Sequence, residues 1–158
     1  MKKNIYFDFT YLIVLAATFG AVIVLGAFVA PIVFHTEKIL DIVLLDNYSA
    51  GIIMGNIFHT FSYWIYFTAF FIIIYEAILY KLGKRDNIIF FASVTSVFSA
   101  LMFSAIYSPK ILAMQSLGRE ATQSDTFNNI HIASELDFKI LAIALLVLFI
   151  RRLMLLRV

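Results

Sequence analysis

Four ionisable side chains lie close together in the stretch NNIHIASELDFKIL: His131, Glu135, Asp137 and Lys139. Residues three and four apart share a helix face, so Asn128, His131, Glu135 and Lys139 form one stripe, while Asp137 points elsewhere. Asn56, His59, Tyr63 and Tyr66 form a second stripe at the same spacing. Imidazole with carboxylate is a donor set for copper, zinc, nickel or iron, and the same groups can carry a proton. His59, His131 and Glu135 are therefore the expected ligands, with Lys139, Asp137, Tyr63, Tyr66, Ser99 and Asn56 as supporting polar groups. Two imidazoles on different helices, His59 and His131, can instead hold the iron of haem b axially. A structural reading stands beside both: Glu135 and Lys139 are an i,i+4 pair in the favourable order and can neutralise each other within one helix.

These residues must be positioned by helices in lipid. The chain has 158 residues, of which 63% are hydrophobic and 14% charged, with a mean hydropathy of +0.95. Soluble domains are only about 45–50% apolar. Uncharged runs over residues 11–34 and 52–75 each exceed the ~20 residues needed to cross a ~30 Å hydrocarbon core. The reading is an all-α polytopic membrane protein, a single four-helix domain over residues 1–158, with spans at about 11–34, 52–80, 87–107 and 128–150. Barrel strands would alternate apolar and polar residues, and these runs are apolar all round. MKK followed by an apolar run resembles a secretory signal, but the run exceeds an h-region of about 7–15 residues and Pro31 follows Ala30 where cleavage would be needed.

Four spans put both termini and the central connection on one side, with Lys2, Lys3, Lys81, Lys84, Arg85, Arg151, Arg152 and Arg157. Lys38, Lys110 and Arg119 remain on the other. The positive-inside rule then places the termini in the cytoplasm, in a bacterium on the inner side of the inner membrane. Counted back from Arg151 at 1.5 Å per residue, His131 lies about 30 Å up, Glu135 about 24 Å and Lys139 about 18 Å. His59 lies about 33 Å from Lys81 on the same count. Charged groups at such depth are costly and usually face the bundle interior, so the stripe is expected to point inward. Asp137 has no partner assigned, Glu76 is expected to snorkel to the cytoplasmic end or to pair with Tyr80 and Lys81, and His35 to be interfacial.

The outer connections, HTEKILDIVLLDNYSA and SPKILAMQSLGREATQSD, read as short amphipathic interfacial helices, with Pro109 in the first turn of the second. Small residues recur at four-residue spacing in helix 1 (Ala16, Gly20; Ala17, Ala21; Gly26, Ala30) and in helix 3 (Ala92, Ser96, Ala100). Such rows let helices approach closely in lipid.

GAFVAPIVFHT, AGIIMGNIF, SPKILAMQ and NNIHIASELDFKIL together resemble the transmembrane-protein-205-like family, small four-helix membrane proteins catalogued as a domain of unknown function. The resemblance spans about residues 20–150 and is carried by Pro31, Phe34, Gly51, Gly55, Phe58, His131 and Ser134. It implies the architecture and no particular reaction. The long acidic-apolar first connection departs from the pattern.

The chain has no cysteine, which removes disulfides and thiolate metal sites. The net charge of +2 has no soluble basic surface behind it, so nucleic acid is not an expected partner. Nucleophile elbow, phosphate loop, dinucleotide fingerprint and zinc-protease motif are all missing, which favours a non-enzyme. Three functions follow. The first is binding or moving a transition-metal cation or proton at the polar site. The second is a structural or assembly subunit, as a homo-oligomer or with a membrane-protein partner. The third is haem b binding.

Overall fold

The computed structural model describes residues 5–156; Lys2, Lys3 and Arg157, counted above for orientation, lie outside them. The described chain is all-helical, with no strand. Four long helices are α1 (Ile5–Phe34), α3 (Asn47–Lys81), α4 (Asn87–Ser116) and α6 (Asp125–Leu156). Two single turns, α2 (Glu37–Leu40) and α5 (Arg119–Thr122), lie in the connections. The helices α1, α3 and α4 are long and apolar enough to cross a membrane. In α6 the uncharged run is confined to Ile140–Ile150, because Glu135, Asp137 and Lys139 precede it and Arg151 and Arg152 follow.

The helix ends follow from local chemistry. Asp46 and Asp86 cap α3 and α4, their carboxylates accepting from the Ser49 N–H at 2.9 Å and the Ile89 N–H at 3.0 Å. The helix α3 closes in a Schellman turn: Gly83, at φ +80°, donates to Tyr80, and Lys84 donates to Leu79.

The second outer connection differs from the sequence expectation. SPKILAMQ is no separate helix, because α4 runs on through it to Ser116. The device is a π turn at Met102–Tyr107, where the Ser108 N–H reaches back five residues to Phe103. The helix α1 does the same at Val24–Val29, where the Ala30 N–H reaches Leu25. In each helix the wide turn immediately precedes the proline, Pro31 or Pro109. A proline lacks the N–H for an i→i−4 bond and crowds that carbonyl, so loosening the preceding turn lets the helix continue.

The helices pack as a ring in the order α1, α3, α4, α6, with α3 and α6 on one diagonal and α1 and α4 on the other. The core is lined by Tyr11, Leu15, Val22, Ile65, Ile72, Leu141, Leu145 and Leu148. Small residues matter at particular contacts. Gly26 of α1 admits the ring of Phe138, whose Cε1 would lie 3.6 Å from an added Cβ. Gly20 meets no atom within 4 Å, so the small-residue row of helix 1 does not act as a whole.

Candidate functional site

The end of the bundle that holds the start of α1 and the end of α6 carries a polar network tying three helices. Arg152 of α6 makes a two-pronged ion pair with Glu76 of α3, one prong being Nε to Oε1 at 3.0 Å. The Tyr11 hydroxyl of α1 donates to the same Glu76 oxygen at 2.8 Å. The Tyr75 hydroxyl donates to Asp8 at 2.7 Å, and its ring stacks on that of Tyr11 at 3.7 Å. Asp8 and Arg152 are each only 6% exposed. The expected pairing of Glu76 with Tyr80 and Lys81 is thus replaced: Glu76 sits one turn from the inward residues Ile72 and Leu79, and the guanidinium crosses the diagonal to it.

Just outside this network Asp86 receives both Nε and Nη2 of Arg151, at 3.0 and 2.7 Å. Arg151, together with the Ile89 N–H, holds the Asp86 carboxyl below the usual carboxylate range. The opposite end repeats the arrangement. Asp46 pairs with Arg119, and the hydroxyl and N–H of Ser49, then Arg119, bring its carboxyl down to about 2.

In mid-bundle Thr18 of α1 meets Thr68 of α3, Oγ1 to Oγ1 at 2.9 Å, and accepts from the Trp64 indole N–H at 2.9 Å. Further along, α6 turns Asp137 inward, 8% exposed, towards the Ser99 hydroxyl of α4. Asp137 is in no ion pair among the described residues, and its Oδ2 has no hydrogen-bond partner there. Ser134, one turn back, is buried and donates to the His131 carbonyl at 2.7 Å.

The stripe expected to face the interior faces outward. The side chains of His131, Glu135 and Lys139 are 43%, 54% and 71% exposed, and they form an external chain, His131 Nε2 to Glu135 at 3.3 Å and Lys139 Nζ to Glu135 at 3.6 Å. The physical reason is the company of Asp137: its neighbours Ser134, Phe138 and Leu141 pack the core, so Glu135 and Lys139 fall on the opposite side. The bundle interior beside them is aromatic. Phe58 of α3, Phe103 of α4 and Phe138 of α6 form a cluster with ring centroids 4.7–5.6 Å apart.

The two stripes do not converge, because Glu135 and Lys139 face outward on α6 and Tyr63 and Tyr66 are exposed on α3. Tyr63 is 68% and Tyr66 39% exposed, and the Asn56 amide donates to its own helix at Ile52. His59 packs edge-on against Tyr63, with its Nδ1 buried and unpartnered. Among the described residues no three His, Asp or Glu side chains are placed to hold a metal ion, so the expected set of His59, His131 and Glu135 is not assembled. Outside the bundle, His35 is exposed and pairs with Glu37 at 3.2 Å.

The motif glycines have a definite role. Gln115, at the end of α4, is 6% exposed and donates to the Gly51 carbonyl at 2.8 Å. The Tyr48 hydroxyl donates to the Gln115 carbonyl at 3.1 Å. A Cβ on Gly55 would stand 2.5 Å from Gln115 Oε1 and 3.2 Å from a Leu112 methyl. AGIIMG on α3 is therefore the seat for SPKILAMQ on α4. Pro31 is exposed after its π turn and Phe34 is half-buried.

Sequence reasoning missed the Asp8–Tyr75 and Glu76–Arg152 pairs. A signal was present: two acidic residues inside apolar helices at the end that is richest in arginine and lysine.

No curated protein and no solved structure matches the chain. One family model does, Domain of unknown function (DUF4149), over residues 13–120. That range holds α1 from Ile13 onward, the whole of α3 and α4, and the Gly51, Gly55 and Gln115 contact, and it stops before α6. Covering about two thirds of the sequence, the match shows that the chain belongs to the DUF4149 family.

Proposed function

We propose that this protein is a multi-pass membrane subunit whose four long helices all span the bilayer as one domain, and that it assembles with a second copy of itself through the outward face of α6. The exposed His131, Glu135 and Lys139 chain carries the reading. A charge facing hydrocarbon costs at least about 2.5–3.5 kcal/mol on insertion scales, and a neighbouring helix with matching groups removes that cost. The stripe is self-complementary. In two parallel copies related by a twofold axis, Glu135 of each can meet Lys139 of the other, one turn away.

Supporting the orientation, the lysines and arginines gather at the end with the termini, which favours a cytoplasmic placement by the positive-inside rule and, in a bacterium, the inner membrane. The likeness to the transmembrane-protein-205-like family belongs to the same reading, since its AGIIMGNIF and SPKILAMQ segments are the ones that meet through Gly51 and Gln115.

The natural absence of cysteine makes the test direct. Leu136→Cys, on the same exposed face, is expected to give a disulfide-linked dimer in native membranes under mild oxidant, and Lys139→Ala added to it to reduce the yield. Phe91→Cys, on the exposed side of α4, serves as the control. Equal cross-linking at Leu136→Cys and Phe91→Cys would sink the reading.

A further inference from the structure

The helix α4 buries a row of hydroxyls for most of its length: Ser93, Ser96, Ser99, Ser104 and Ser108, none more than 7% exposed. The row extends about 22 Å along the axis at 1.5 Å per residue. It stays on one face only because of the π turn. In an unbroken α-helix the five-residue step from Ser99 to Ser104 would swing the second hydroxyl well off the first, whereas the wider turn at Met102–Tyr107 returns it to the buried side.

Small residues on a packing face need no ligand, and a serine row alone would mean only close packing. These serines differ in what their oxygens do. Ser93 donates to its own helix at Phe90, but Ser96, Ser104 and Ser108 have buried Oγ atoms without a partner among the described residues. Beside the middle of the row stands Asp137, more than nine-tenths buried, with Oδ2 also free.

Every charged or titratable group that could neutralise Asp137 has another place. The helix α1 has none between Tyr11 and Phe34. On α4, Lys110 is exposed and Tyr107, half-buried, is the last residue of the π turn, two turns along from Ser99. Across the diagonal α3 offers His59, seated on Tyr63. On α6 itself His131, Glu135 and Lys139 bind one another on the outer surface. An ionised carboxylate without a counter-charge is too costly to keep in such surroundings, so a bound cation must complete the site. A sodium ion would require several further oxygens converging on one point, and Ser99 is the hydroxyl that faces the carboxyl. A proton requires none.

We propose that Asp137 is an intramembrane proton-binding site and that the hydroxyl row of α4 is the route by which its proton exchanges with the ends of the bundle. The step is a proton transfer only: an O–H bond forms at Asp137 as one breaks on a water or hydroxyl of the row, and no redox partner is needed. Serine hydroxyls suit this because each can accept and donate at once. The inference goes beyond the assembly reading above, since a monomer would carry the site intact.

The test uses the full chain in lipid vesicles. Infrared spectra are expected to contain a protonated-carboxyl C=O band that shifts in D2O and vanishes in Asp137→Asn, a near-isosteric change. Vesicles enclosing a pH-sensitive dye, driven by a valinomycin potassium potential, are expected to take up protons faster than protein-free vesicles. Asp137→Asn should bring that rate down to the protein-free level. Ser99→Ala, which leaves the carboxyl in place, should keep the band but move its frequency and slow the flux. Circular dichroism checks that both variants keep their helix content. A sodium-dependent carboxylate band in place of the protonated one overturns the proposal, as does proton uptake that Asp137→Asn leaves unchanged.

Discussion

Glu76 and Asp137 are both carboxylates turned into the same bundle, and they live in opposite circumstances. Glu76 has Arg152 on two sides and the Tyr11 hydroxyl on a third. Asp137 has the Ser99 hydroxyl and no cation. The difference arises from position along the helices. Near the chain termini an arginine just past the apolar run of α6 can reach across the diagonal to α3. Deeper in, a long cation would have to cross the Phe58, Phe103 and Phe138 cluster, and Lys139 is held on the outside. One carboxylate is consumed in holding three helices in register, and the other keeps its capacity to bind.

The sharpest way to break this comparison is to remove the counter-charge where it exists. Arg152→Ala strands Glu76 and should cost about 3–5 kcal/mol, the usual penalty for leaving a buried charge unpaired. Thermal unfolding in detergent measures it, and the double variant Arg152→Met, Glu76→Gln should recover much of the loss. A smaller effect is expected where packing alone is challenged: Gly55→Leu drives a side chain into Gln115 and Leu112 and should cost about 1–3 kcal/mol, read by the same unfolding. Asp137→Asn should change stability by less than about 1 kcal/mol, because no ion pair is lost. A loss as large as that of Arg152→Ala would mean that Asp137 is also a structural lock.

The smallest effect belongs to the caps. Asp46 has its carboxyl lowered from 3.8 to about 2, so its contribution to stability is complete above the unfolded value and disappears as pH falls from 3.8 through about 2. Acid titration of the unfolding midpoint should therefore flatten in Asp46→Asn over that window. Arg119→Ala should move the transition upward in pH by weakening the Asp46 ion pair, and Arg151→Ala should do the same for Asp86.

Much of this architecture is legible residue by residue. The helix expected from residue 87 starts there, at Asn87, whereas the one expected from about residue 52 starts at Asn47, where the Asp46 carboxylate satisfies N–H groups that have no partner in the first turn. Gly51 and Gly55, legible only as part of the family resemblance, are where Gln115 approaches α3 closely. Pro109 misleads: it reads as the start of a new helix, whereas the π turn before it carries α4 through. The stripe at His131, Glu135 and Lys139 misleads more seriously, since its shared face is readable and the direction of that face is not.

The sequence by itself determines that the chain is helical and that three of its helices can cross a membrane, because an apolar run in hydrocarbon must satisfy its own backbone hydrogen bonds. It also determines which residues share a helix face, since 3.6 residues per turn is a property of the backbone. Only the tertiary structure decides which face looks inward. In a soluble helix the contrast between apolar and polar sides would give that away, but a helix apolar all round carries no such contrast. The ring order of the helices, the Phe138 contact with Gly26 and the reach of Arg152 to Glu76 settle it instead, by turning Asp137 in and Glu135 out.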